Sequence, residues 1–231
     1  MNVPISKRLL CCASLVPTGG RVADIGCDHG YLGIYLLLEQ KAQYVVASDL
    51  RPLPLQKARE NADLFGTADR MDFYVADGLS AVSPGSVNTV VCAGMGGDNI
   101  ADILEAAPWV RTPDCTLILQ PNTSGNKLRQ YLGEQGFSIL REVLVKDGNF
   151  LYFTILARYG GGTALTPGQQ YVSPALLQEP SDLLPEYLQR VLSGLQQAVD
   201  GIAKSKKETD RERLPYYQCA LNEVLEMRNA L

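Results

Sequence analysis

The 231-residue chain predicts an α/β fold: a doubly wound, mostly parallel sheet that ends in an antiparallel hairpin, with a small helical unit following it. Three observations predict this. Short β-rich runs alternate with segments of helical length, two long β-rich runs then flank Asp147-Gly148-Asn149, and beyond a glycine-rich break apolar residues recur at steps of three and four. Strand–helix alternation gives a parallel sheet covered on both faces, with ligands at the carboxyl ends of its strands.

"RVADIG" (21–26) is a short apolar run with a breaker at each end, and "YLGIYLLLEQ" after it has helical composition. "AQYVVASDL" (42–50) precedes "PLPLQKARENADLFG", whose prolines sit where a first helical turn tolerates them. "MDFYVADG" (71–78) is a third strand, and "VNTVVCAGMGG" (87–97) a fourth that runs into the helix "DNIADILEAA". "CTLILQPN" (115–122) is the fifth, followed by a helix over "SGNKLRQYLGEQG". In "FSILREVLVKDGNFLYFTILARY" the Asp147-Gly148-Asn149 turn joins two antiparallel strands, which brings the sheet to seven.

After "RYGGGTALTPGQQ", residues Leu184, Leu188, Val191, Leu195, Val199 and Ile202 draw the stripe of an amphipathic helix. A second helix, roughly 216–230 after Pro215, is expected to pack against it as a coiled-coil-like hairpin. The expected division is a catalytic domain over 1–160 and a C-terminal helical domain over 161–231.

With 21 basic and 25 acidic residues the chain is mildly acidic, so any nucleic-acid contact must use a local patch. The cluster Lys204, Lys206, Lys207, Arg211 and Arg213 is interleaved with acids, which leaves open both a solvated helix face and a contact with RNA. Six cysteines form no CxxC pair, and five lie in apolar or strand-like runs, as buried reduced thiols of a cytoplasmic protein would. The N-terminal apolar run "LLCCASLV" is too short for a membrane span, so a soluble, unprocessed protein is expected. One histidine and scattered cysteines supply no metal-ligand spacing, and no GxSxG nucleophile motif occurs.

The informative loop is "VADIGCDHGYLG" (22–33), where Gly26 and Gly30 bracket Asp28. Asp24 and Asp28 would repel a pyrophosphate and attract a cofactor bearing an ammonium and a sulfonium, as S-adenosylmethionine does. Asp49, 25 residues after Asp24, ends the second strand where an acid accepts both hydrogen bonds of a ribose diol. Asp77, in "ADG", ends the third and is placed to meet an adenine amino group. Glycines around Met95 imply bare backbone beside a ligand, or a turn needed only for packing. Gln120 and Asn122 in "QPN" carry amides able to donate to and accept from a base edge. His29 suits a base poised near neutrality or a hydrogen-bonded structural residue. A dinucleotide dehydrogenase normally gains its sixth strand through a crossover, so the terminal hairpin instead resembles the class I S-adenosylmethionine-dependent methyltransferases.

"VADIGCDHGYL", "DGL" (77–79), "AGMGG" (93–97), "QPN" (120–122) and "SPALL" (173–177), in that order and with a C-terminal helical extension, resemble the bacterial tRNA (adenine(22)-N(1))-methyltransferase family over essentially the whole chain. Cys27 stands where serine is common, Gly30 where alanine is common, and Asp49 replaces a glutamate; no needed functional group is lost. The resemblance implies a Rossmann-like class I methyltransferase fold and S-adenosyl-L-methionine as cofactor, converted to S-adenosyl-L-homocysteine, without a metal. It implies tRNA as partner, with no membrane and no obligatory protein partner, and methylation of an adenine N1 in the D-arm.

On that resemblance the cofactor residues are Asp24, Gly26, Asp28, Gly30, Asp49, Leu50, Asp77, Gly78, Ala93 and Gly94. Asp28, His29 and Asn122 are the catalytic candidates. Tyr31, Met95, Gly96, Gln120, Pro121 and Asn122 would form the base site, and Lys7, Arg8, Lys127 and Arg129 would reach phosphates. The alternatives are a methyltransferase of small molecules or proteins, an RNA-binding protein that retains cofactor without catalysis, and a nicotinamide dehydrogenase.

Overall fold

The computed structural model describes residues 2–205 and 207–231, with Glu208 by its backbone alone; Lys206 of the basic cluster lies outside the described residues. Strands β1 (Gly20–Ile25), β2 (Ala42–Asp49), β3 (Met71–Val75), β4 (Thr89–Gly96) and β5 (Thr116–Thr123) run parallel in the order β3-β2-β1-β4-β5. Helices α2 (Tyr31–Leu38), α3 (Pro52–Leu64) and α4 (Gly97–Glu105) join β1 to β2, β2 to β3 and β4 to β5, and α5 (Gly125–Glu134) follows β5. The hairpin of β6 (Phe137–Asp147) and β7 (Phe150–Tyr159) closes the sheet, with β7 antiparallel between β5 and β6. Strand order reverses between β1 and β4, so the chains leaving these strands diverge and open a crevice at their carboxyl ends.

Near-continuous apolar strands are what a sheet covered on both faces requires. One core, including Ile100, Leu104, Leu117 and Phe137, lies on one face, and a second, including Val22, Ile34, Leu37 and Val45, on the other. The second face is completed by α1 (Lys7–Leu15), which the sequence left as an apolar run. Ser6 caps it by accepting from the Leu9 amide at 3.3 Å, and Cys11, Cys12, Ala13 and Leu15 are buried. All six cysteines are free, five of them buried.

Short helices α6 (Pro167–Tyr171) and α7 (Pro174–Gln178) lead into α8 (Leu184–Lys204) and α9 (Glu208–Asn229). Leu184, Leu188 and Leu195 of the expected stripe are buried in a third core with Leu144 and Leu151 of the hairpin and with Ala220 and Val224 of α9. The expected start of the last helix near 216 needs correction, because Pro215 lies inside α9. Proline removes the bond to the Arg211 carbonyl, but both residues are exposed, so water can satisfy that carbonyl.

Arg129 also needs correction. Rather than reaching a phosphate, it is 1% exposed and paired with Glu142 on β6, which is 0% exposed. Its guanidinium donates to the Gln170 carbonyl at 3.1 Å and the Tyr187 hydroxyl at 3.0 Å, and lies over the Phe153 ring. Ser173 donates to Glu142 at 2.5 Å. One buried ion pair thereby ties α5 and β6 to α6, α7 and α8. Among the described residues no helix is long and apolar enough to cross a membrane.

Candidate cofactor and substrate site

At the carboxyl end of β1 the chain turns through Gly26 at φ +68°, where an added Cβ would collide with the Met95 side chain. Gly26 and Cys27 donate their amides to the Ser48 carbonyl at 2.8 and 2.9 Å, which pins the loop to β2. Asp49 then holds it from the side: its carboxylate accepts from the amides of Asp28 at 3.1 Å and Arg51 at 2.9 Å. Asp28 itself sits at φ 49°, a left-handed conformation uncommon for a residue with a side chain.

These segments enclose a cavity of about 460 Å³ whose walls carry four carboxylates, Asp24, Asp28, Asp49 and Asp77. Leu50, Gly78, Ala93, Gly94 and Met95 also line it, as does Gly26. Asp24 is 3% exposed and its Oδ2 makes no hydrogen bond among the described residues. Burial, reinforced by the charge of Asp49 and partly offset by the Gly33 backbone, pushes its pKa up to about 7. A buried carboxylate that lines a ligand-sized cavity, with one oxygen left without a hydrogen bond among the described residues, suits a cationic group. Asp49 keeps lone pairs beyond the two amides it accepts from, as a diol would need.

Arg51, not anticipated from the sequence, lies 3.9 Å from Asp28 and 3.6 Å from Asp49 and partly balances the acids. Its only sequence signal was adjacency to a strand-ending acid. Arg8, expected at a phosphate, instead lines the cavity and donates to the Gln120 side chain.

On the opposite wall a chain of amides joins β4 to β5. Gln120 accepts from the Gly94 amide at 3.0 Å and donates to the Pro121 carbonyl at 2.9 Å and to Asn122 at 3.3 Å. Asn122 donates to the Gly94 carbonyl at 2.9 Å and is exposed. The expectation that Gln120 meets a base is therefore corrected: it is 0% exposed and its amide is engaged, so it positions Asn122 and Gly94. Pro121 and Asn122 line a second cavity, about 290 Å³, between the sheet end and α8 and α9.

Other expected residues fall outside the first cavity. Gly30 opens α2, where a Cβ would lie 2.9 Å from Ala58, so its smallness serves packing against α3 rather than cofactor contact. His29 is half-exposed, 3.7 Å from Asp28, with the half-buried Tyr31 ring 6.1 Å away, and together they form the outer rim of the loop. Gly96 faces Thr123. Lys127 is exposed and pairs with Asp98 at 2.9 Å, while Lys7 is exposed on α1. Hydrogen bonds from Ser124 and then Lys127 hold the Asp98 pKa below the usual carboxylate range. Among the described residues no group of three or more His, Cys, Asp or Glu could hold a metal ion.

A doubly wound sheet with a reversed final strand, and an acid-lined crevice at its switch point, define a class I methyltransferase that takes a cationic nucleoside cofactor. In agreement, residues 5–155 match the family model described as a methyltransferase domain. The chain is 32% identical over 184 residues to the tRNA (adenine(22)-N(1))-methyltransferase of Bacillus subtilis (strain 168), covering 77% of each. The crystal structure of the B. subtilis M1A22 tRNA methyltransferase aligns with a TM-score of 0.87 at 27% identity, covering 98% of this chain and 99% of that one. A Streptococcus pneumoniae putative tRNA (m1A22) methyltransferase, solved in complex with S-adenosyl-L-methionine, aligns at 0.78 with 28% identity over 94% and 99%. This chain belongs to the tRNA (adenine(22)-N(1))-methyltransferase family.

Proposed function

We propose that the protein transfers the methyl group of S-adenosylmethionine to N1 of adenine 22 in the D-arm of tRNA. The observation that carries this reading is the exposed Asn122, fixed by Gln120 and Gly94, standing beside a cavity walled by four carboxylates. The residues fit the cofactor: Asp24 and Asp28 suit its cationic amino-acid end, Asp49 its ribose diol and Asp77 its adenine amino group. When bound, the cofactor supplies an electrophilic methyl group on a sulfonium.

Adenine N1 already carries a lone pair, so the protein need form no covalent intermediate. Its work is to take the base out of its stack and to align N1 with the methyl group. Asn122 uses one N–H on Gly94 and one lone pair on Gln120, which leaves one donor and one acceptor for the base edge. Methylation puts positive charge on the ring, and Asp28, with His29 at 3.7 Å, is the carboxylate placed to stabilise it.

The test incubates purified protein with total bacterial tRNA and labelled S-adenosylmethionine, then digests the RNA and identifies the methylated nucleoside by mass spectrometry. The expected product is 1-methyladenosine mapping to the D-arm; no methylated nucleoside in the tRNA, with cofactor binding confirmed, overturns the reading. Asp49→Ala should weaken cofactor binding, whereas Asn122→Ala should lower turnover with cofactor affinity retained, and the reverse pattern would sink the residue assignment.

A further inference from the structure

The second cavity, at the seam between the sheet end and α8 and α9, has a chemistry opposite to the first. Among the described residues no Asp or Glu lines it, its walls include Tyr152, Tyr171, Tyr187 and Tyr217, and the one charged residue is Arg190. Among the described residues Arg190 has no carboxylate within ion-pair distance, and it is exposed. We infer that this seam cavity holds the base of a nucleotide flanking the target adenine, stacked on the tyrosines with its phosphate at Arg190; the inference rests on the tRNA reading above.

Position, charge and shape carry it. Asn122 lies on the seam wall, and through its bond to the Gly94 carbonyl it adjoins the wall of the cofactor cavity. Once a target base is drawn to Asn122, the next nucleotide is one phosphodiester linkage away, and the seam is the cavity that adjoins it. Single-stranded nucleotides are recognised by aromatic faces and a guanidinium, which tolerate any base. Acids gather where a cation is to bind and are missing where a polyanion would pass. At about 290 Å³ the seam sits near the lower end of small-ligand cavities, roughly 300 Å³, a size for one base rather than a helix. Its floor is preformed, since the Tyr187 hydroxyl is held by Arg129 at 3.0 Å and donates to the Tyr171 carbonyl at 2.9 Å. Tyr152 of the seam has the guanidinium of Arg8, which lines the first cavity, 5.7 Å from its ring centroid.

The experiment places 2-aminopurine, in separate tRNA substrates, at the target position and at each flanking position, and reads fluorescence on binding the full chain. Stacking on tyrosine should quench the probe at one flanking position. Tyr217→Leu should relieve that quenching, and Tyr217→Phe, which keeps the ring but not the hydroxyl, should preserve it. Arg190→Ala should raise the KM for tRNA about tenfold, the scale of one lost charge-assisted hydrogen bond to a phosphate, with kcat and cofactor Kd unchanged. Quenching confined to the target position overturns the inference, as does an unchanged KM in Arg190→Ala, whose exposed side chain can be removed without threatening the fold. If wild-type protein forms 1-methyladenosine in tRNA while these signals are absent, the seam inference alone falls. If it forms none, both readings fall.

Discussion

Asp24 and Glu142 are both carboxylates cut off from water, 3% and 0% exposed, in opposite surroundings. Glu142 is met by the Arg129 guanidinium and the Ser173 hydroxyl, while Asp24 leaves Oδ2 without a hydrogen bond and its pKa rises to about 7. A buried charge with every partner supplied by the chain is a structural tie; one that keeps an oxygen unsatisfied among the described residues, at a cavity wall, suits a ligand. Burial alone would have ranked them as equals. Their partners separate the junction from the site.

The most severe way to break this contrast is to remove the partner at the junction. Glu142→Ala strands Arg129 among Gln170, Tyr187 and Phe153, and is expected to cost about 3–5 kcal/mol of stability, read as a loss in thermal or urea unfolding. Removing the charge of Asp24 should act in the other direction near pH 7. With its folded pKa raised from an ordinary 3.8 to about 7, folded protein keeps a proton that the unfolded chain has released in that window. Stability therefore falls as pH rises from about 4 to 7, by up to about 4 kcal/mol at about 1.4 kcal/mol per unit of pKa. Asp24→Asn should flatten that pH dependence in cofactor-free protein while weakening cofactor binding measured by calorimetry.

Smaller changes sharpen the same contrast. Ser173→Ala removes both a bond to Glu142 and the cap of α7, where its hydroxyl accepts from the Leu176 amide at 3.1 Å, and should cost about 1–2 kcal/mol in urea unfolding without changing cofactor affinity. Lys146→Ala, which breaks an exposed 2.9 Å pair between β6 and Glu186 on α8, should shift stability by less than about 1 kcal/mol, and less still in high salt. A larger loss there would mean that surface charge, rather than the Arg129–Glu142 pair, holds the helices to the sheet.

Much of the site was legible because a parallel sheet brings the carboxyl ends of its strands together. Asp24, Asp49 and Asp77 belong to successive strands or the turns just after them, so three readings of strand ends amounted to one reading of a cavity. The same logic found Asn122 near the carboxyl end of β5. It failed at Gln120, only two residues away, because alternation along a strand tells which side chain turns inward, not whether its amide is consumed there by Gly94 and Asn122. Arg129 was misread for a related reason. Its partners lie 13, 41 and 58 residues away on three other elements, and nothing local in "NKLRQYL" marks a buried arginine.

The sequence by itself determined the periodic and the punctual features: seven strands from apolar runs, helices from their length, the hairpin from Asp-Gly-Asn, and acids and glycines at strand ends. These follow from forces acting over a few residues, so a short window contains them. Only the tertiary structure decided what depends on pairing across the chain. It placed α1 on the sheet, turned Arg8 into the cavity, locked Arg129 to Glu142, and set Tyr152 and Asn122 against α8 and α9. Long-range packing and charge neutralisation choose partners by proximity in space, and no local pattern of residues carries that information.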